Sequence, residues 1–209
     1  ILTATDAENN RTTYEYDGID LLVKTRYPVT TQGSNSSSSS DYVQLGYDAA
    51  GNVTSYRTRR GETLAFVFDA LGRMTGKTVP ERSGLSSTNT RDVFYGYDLL
   101  GRPAYARFDS ASGEGISFAF DALSRMTSST QAMDSANRTL SYQYDAAGRR
   151  TRMTWPDAGY IAFNYDVLNR PTSITDSASA TLRSYVYGTS GTLASTGSGG
   201  GLAASYGYD

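Results

Sequence analysis

The stretch YQYDAAGRR, residues 142–150, constrains the fold more than any other because the chain keeps rewriting it. An aromatic residue followed by Asp stands at Tyr16-Asp17, Tyr47-Asp48, Phe68-Asp69, Tyr97-Asp98, Phe120-Asp121, Tyr144-Asp145, Tyr165-Asp166 and Tyr208-Asp209. Tyr187-Gly188 fills the one gap, with the Asp lost. The spacings are 31, 21, 29, 23, 24, 21, 22 and 21 residues. A second large apolar residue precedes each pair by two positions: Tyr14, Leu45, Phe66, Tyr95, Phe118, Tyr142, Phe163, Tyr185 and Tyr206. A near-constant period of this length marks a stack of supersecondary units.

The residues of the unit dictate its shape. Aromatics at i and i+2 lie on one face of a strand. Asp favours the first position of a type I turn, where its carboxylate accepts backbone N–H groups. Three residues later the chain needs a positive φ, as in a three-residue hairpin loop. That column reads Asp20, Gly51, Gly72, Gly101, Ser124, Gly148, Asn169 and Gly191. All but Ser124 tolerate the left-handed region well, so mild strain or a different turn is expected there. Arg follows the column at Arg73, Arg102, Arg125, Arg149 and Arg170, near enough to Asp across the tip to help register by about 0.2–1 kcal/mol per pair. A Thr/Ser-rich strand then leaves the tip, with Pro103 and Pro171 at its start, where a missing N–H is tolerated.

Each unit of about 21 to 24 residues suits two strands and two turns. The extra length of the longer units falls in PVTTQGSNSSSSSD (28–41) and PERSGLSSTNTRD (80–92), expected as loops at the end of the sheet opposite the Asp tips. The serine run 36–40 is expected to be a flexible loop, and Asn35-Ser36-Ser37 fits the glycosylation pattern. STGSGGGLAA (195–204) is expected as one more turn. No helix and no domain boundary is evident. Residues 1–209 read as a single array of about eight and a half hairpins, each burying its aromatic row against its neighbours. The chain opens ILTATDAENN without an initiator Met or leader pattern and closes SYGYD as the motif restarts. It is therefore expected to be a fragment of a larger chain.

Composition narrows the chemistry. The chain has no Cys and no His, which removes thiolate nucleophiles, imidazole bases and Cys/His zinc sites. Its 19 basic and 21 acidic residues leave a charge of -2, without a nucleic-acid or membrane-surface footprint. No stretch approaches the roughly 18 apolar residues of a membrane helix. A membrane β-barrel would need a lipid-facing apolar row, and the outgoing strands are too polar for one.

The units YDAAGNV, FDALGRM, YDLLGRP, FDALSRM, YDAAGRR and YDVLNRP resemble the YD-repeat, or Rhs-repeat, family over essentially the whole chain. That family includes bacterial polymorphic toxins, shell components of insecticidal toxin complexes, wall-associated proteins and teneurins. The resemblance implies an all-β fold: tandem β-hairpin repeats forming one long, curved or spiralling antiparallel sheet, a segment of a hollow β-shell. It further implies a secreted or cell-surface setting, with the rest of the parent chain and an enclosed C-terminal toxin domain as partners. The self-cleaving core segment of the bacterial members is not in these residues, and nor is a toxin domain. So few units would leave an open sheet with exposed edges, a route to edge-to-edge self-association.

Each candidate site has a structural reading and a functional one. The aromatic rows are read as the packed face of the sheet, with sugar stacking as the alternative. The Asp column is read as turn chemistry rather than catalytic or Ca²⁺-binding, because an active site is singular and this column is periodic. DAENN (6–10) and DGID (17–20) come nearest to a metal loop and are weak. In YRTRRGE (56–62), Arg57 and Arg59 are expected on one strand face and Arg60 on the other, solvated rather than phosphate-binding; RRTR (149–152) is similar. Trp155, the lone Trp, is expected to pack beside a turn at Pro156-Asp157. No nucleophile–base pair can be assembled, since Lys24 and Lys77 are the only lysines and neither adjoins a motif that needs one. The aromatic, Asp, Gly-column and Arg residues named above are thus expected to be structural, with no catalytic residue, cofactor or metal. The chain reads as a non-enzymatic segment of an encapsulating shell in an Rhs-type toxin or toxin-complex component. The alternative is an adhesion or carbohydrate-binding module with a glycan as partner.

Overall fold

A computed structural model describes residues 1–208. Asp209, and with it the second half of the Tyr208-Asp209 pair, lies outside the described residues. The chain falls into two compact units, Ile1–Gly113 and Glu114–Asp209. The first holds β1 (Leu2–Thr5), β2 (Arg11–Tyr16), β3 (Leu22–Pro28), β4 (Ser37–Tyr47), β5 (Val53–Arg57), β6 (Thr63–Phe68), β7 (Met74–Thr78), β8 (Val93–Tyr97) and β9 (Pro103–Phe108). The second holds β10 (Gly115–Phe120), β11 (Met126–Met133), β12 (Ala136–Tyr144), β13 (Arg150–Thr154), β14 (Tyr160–Tyr165), β15 (Pro171–Asp176), β16 (Thr181–Tyr187), β17 (Leu193–Ser198) and β18 (Ala203–Ser205). Within each unit every strand pairs antiparallel with the next in sequence. The only helical element among the described residues is one 3₁₀ turn, Ser87–Asn89, in the long loop between β7 and β8.

The sequence pattern sorts the two faces of each sheet. Cross-strand partners share a face. In the first unit Leu45, Tyr56 and Leu64 form one such row. In the second, Tyr142, Met153 and Ile161 form another, and Phe163 lies opposite Ile174. The alternate positions of the second unit carry hydroxyls: Ser128, Ser141 and Thr154 are aligned, and Thr130 bonds Thr139 at 2.9 Å.

The expectation that neighbouring units bury the aromatic rows is corrected. Among the described residues no hydrophobic side chain is buried; only Thr90 and Thr196 of the polar ones are. A single-layer sheet has no second layer to cover its apolar face, so the rows pack sideways along the sheet and stay half-exposed.

Three local expectations are also corrected. The serine run is not a free loop: Ser37–Ser40 begin β4, and Ser37 lies opposite Pro28. The surplus length leaves as a wide bulge, since five steps of β4, from Ser37 to Tyr42, face the two steps from Pro28 to Arg26. Ser38 Oγ holds that bulge by accepting the N–H groups of Ser40 and Asp41. Arg59 and Arg60 lie on no strand; β5 ends at Arg57 and Thr58–Glu62 form a tight turn. The stretch 195–204 is mostly β17 and β18, with its turn confined to Ser198–Leu202.

Candidate functional site

The feature that recurs through both units is the hairpin tip. At Asp48 the backbone N–H donates to the Asn52 carbonyl, and the Gly51 N–H donates to the Asp48 carbonyl, both at 3.0 Å. Asp48 Oδ1 accepts the N–H groups of Ala50 and Asn52, each at 2.9 Å. The same backbone closure occurs at Asp17, Asp69, Asp98, Asp121, Asp145 and Asp166, and at Gly188 without the carboxylate. The positive φ falls at Asp20, Gly51, Gly72, Gly101, Ser124, Gly148, Asn169 and Gly191, between 63° and 84°. Ser124, at 63°, forms the same turn as its neighbours and not a different one.

The tip Arg closes the unit chemically. Arg73, Arg102, Arg125, Arg149 and Arg170 each donate Nε–H to the Oδ2 of the Asp four residues earlier, at 2.6–2.8 Å. Hydrogen bonds to the ionised form draw these carboxyls down. The Arg73 side chain leads at Asp69, and the backbone N–H groups of Arg125 and Arg170 lead at Asp121 and Asp166. At Asp98 and Asp145 desolvation is the largest influence and pushes up, but the combined bonds from Arg102 and Arg149 outweigh it. Asp48 is lowered without an Arg, first by the Asn52 side chain.

The Arg also joins one tip to the next. The guanidinium of Arg73 lies 4.6 Å from the centre of the Tyr97 ring, Arg125 4.7 Å from Tyr144, Arg149 4.7 Å from Tyr165 and Arg170 4.3 Å from Tyr187. Arg125 and Arg149 donate a further N–H to the carbonyls of Asp145 and Asp166, at 3.0 and 3.2 Å. The tyrosine answers in the other direction. Its hydroxyl donates to the carbonyl of the first residue of the preceding outgoing strand: Tyr47 to Leu22, Tyr97 to Met74, Tyr144 to Met126, Tyr165 to Arg150 and Tyr187 to Pro171, at 2.8–3.0 Å. This is why the column favours Tyr over Phe; Phe68 and Phe120 have no hydroxyl to give.

Two regularities escape the sequence reading. Each Asp-tip hairpin slips register by one residue just before its aromatic, as between Gln143 and Tyr144. The extra residues are Val23, Thr54, Thr75, Ala104, Thr127, Thr151, Thr172 and Ala194. A Thr-rich column was visible, but nothing local marks it as a bulge. Second, several turns at the opposite ends of the strands use the same backbone closure with other residues, starting at Asp6, Thr58, Trp155, Asp176 and Ser198. Only their positive-φ residues, Asn9, Gly61, Ala158, Ser179 and Gly201, mark them; Asn9, Gly61 and Gly201 fit the rule, and Ala158 and Ser179 hide it.

The other candidates fall outside this ladder. Arg57 and Lys24 flank Tyr42, at 3.8 and 4.6 Å from its ring centre, and Arg26 pairs with Glu15. Arg59 pairs with Asp41 and stacks on Tyr27 at 4.1 Å. Arg152 stacks on Tyr160 at 3.5 Å. DAENN and DGID are turns whose carboxylates accept backbone N–H groups. Among the described residues no group of three or more Asp or Glu is placed to hold a metal ion. No helix of the described residues is long and apolar enough to cross a membrane.

The geometry defines a class: a tandem β-hairpin array whose tips are latched to one another by Asp, Arg and Tyr. Residues 47–83, which span the Asp48 and Asp69 tips, match the RHS repeat family model. No curated protein matches it in sequence. In fold it is similar to part of the crystal structure of TcdB2-TccC3 without the hypervariable C-terminal region. That match has 17% identity and a TM-score of 0.57, and covers 93% of this chain and 11% of that one. The Photorhabdus luminescens Tc holotoxin pore gives 18% identity and a TM-score of 0.55, over 94% of this chain and 11% of that one. TcdB2-TccC3-Cdc42 gives 16% and 0.52, over 93% and 13%. At these identities the likeness is one of fold, and the chain spans only 11–13% of the length of these matches.

Proposed function

We propose that this chain is a wall segment of an encapsulating β-shell in a large bacterial Rhs-type toxin or toxin-complex component, without catalysis of its own. Residues 1–209 act in this reading as one repeat array within a longer chain, and the aromatic, Asp, Gly-column and Arg residues serve as its structural motif. The partners are the rest of the parent chain and an enclosed C-terminal toxin domain, and the setting is secreted or cell-surface. The observation that carries the reading is the latch itself. The tip carboxylates and guanidinium groups bond one another and the backbone, so the motif builds a regular wall rather than a reactive centre. The fold likeness to segments of Tc toxin chains supports it. Electron microscopy of the full-length parent chain tests it. A second reading, a carbohydrate-binding module, is favoured by one observation, the exposed Trp155 beside a groove in the second unit.

A further inference from the structure

Each tip arginine has its carboxylate, but one group of cations in the first unit has no such match. Arg57, Lys24 and Arg26 converge on the ring of Tyr42, at 3.8, 4.6 and 5.6 Å from its centre. Register brings them there. Gln44 of β4 lies opposite Lys24 of β3 on one side and Arg57 of β5 on the other, and Tyr42 lies opposite Arg26. Residues aligned in this way project from one face of the sheet.

The acids nearby are already engaged. Glu15 pairs with Arg26, Asp41 with Arg59, and Glu62, in the turn after Arg57, with Arg82. Lys24 has neither a hydrogen bond nor an ion pair among the described residues. Arg57 donates to the Tyr42 and Thr58 carbonyls at 2.8 and 3.2 Å. Both bonds use Nη1, which fixes the guanidinium but leaves its charge without a carboxylate and its Nε and Nη2 without a partner among the described residues. The Tyr42 hydroxyl and the Gln44 amide are also unbonded among those residues. Like charges brought together across strands destabilise a sheet, and one aromatic ring compensates them only weakly. The whole chain carries a charge of -2, so this positive excess is local.

We infer that this cluster binds a phosphate group, free or carried on a small molecule. Lys24 supplies a point charge, and the free edge of Arg57 a planar fork that fits two phosphate oxygens. The Tyr42 hydroxyl and the Gln44 amide add neutral donors. A doubly charged tetrahedral anion matches the two uncompensated cations, which the single charge of a carboxylate does not. The inference goes beyond both readings above, since it needs neither an enclosing shell nor a sugar.

The test is an amide NMR titration of the ¹⁵N-labelled 209-residue chain with sodium phosphate, at a pH where phosphate is mostly dianionic, and with sodium chloride at matched ionic strength. Saturable shifts at Lys24, Tyr42, Gln44 and Arg57 are expected with phosphate and not with chloride. Lys24→Gln weakens phosphate binding at least about tenfold, and Tyr42→Phe at least about threefold. The groups removed make no hydrogen bond within the protein among the described residues, so both variants keep the strand signal in far-UV circular dichroism. Lys24→Gln melts no lower than the unaltered chain in phosphate-free buffer, because it removes a repelled charge. Equal shifts from phosphate and chloride would mean charge screening alone and would overturn the site. Absence of saturable shifts, shifts centred on other arginines, or an affinity unchanged in Lys24→Gln would overturn it as well.

Discussion

Ser124 sits at φ 63° in a column otherwise filled by Gly, Asn and Asp. A side chain with a Cβ is strained there, and glycine is not. Ser124→Gly should therefore raise stability by about 0.5–1 kcal/mol in urea unfolding, net of the added freedom of the unfolded chain. The Tyr144 hydroxyl makes the opposite point. It donates to the Met126 carbonyl at 2.8 Å. Tyr144→Phe should cost about 1 kcal/mol, measured the same way. The turn was legible because Asp, Gly and Arg act within five residues of chain. The hydroxyl latch was not, because its acceptor lies 18 residues back and becomes a neighbour only after two strands pair.

At the scale of the hairpin, the carboxylates set the pH dependence. Asp48, Asp69, Asp98, Asp121, Asp145 and Asp166 are all held below their ordinary value of 3.8. A carboxyl whose folded value is depressed contributes stability that is present above the unfolded value and is lost as pH falls through the folded one. With no His and no Cys, no side chain ordinarily titrates between pH 5 and 8. Thermal melts followed by circular dichroism should be flat over that range and fall once the pH drops below about 4. A transition near pH 6 would contradict this assignment. The strands themselves were legible from their period-2 aromatics. Their bulges were not: Thr151, the extra residue opposite the step from Gln143 to Tyr144, looks like any other strand threonine. Nor was the pairing of Ser37, because a serine run reads as a loop until Pro28 across the sheet gives it a partner.

At the scale of the whole molecule, the sequence announces a repeat, and within each of the two units that repeat forms a single-layer sheet. The expected burial did not follow, because a row such as Tyr142, Met153 and Ile161 has side neighbours but nothing above it. A wall in a shell is a natural use for such a sheet, since its two faces meet different surroundings: apolar rows on one, and aligned hydroxyls such as Ser128, Ser141 and Thr154 on the other. The measurement that tests this most directly is cryo-electron microscopy of the full-length parent chain. The account predicts a closed hollow shell, with these hairpins in its wall and density for a separate domain inside. An extended or open assembly that encloses no volume would contradict it.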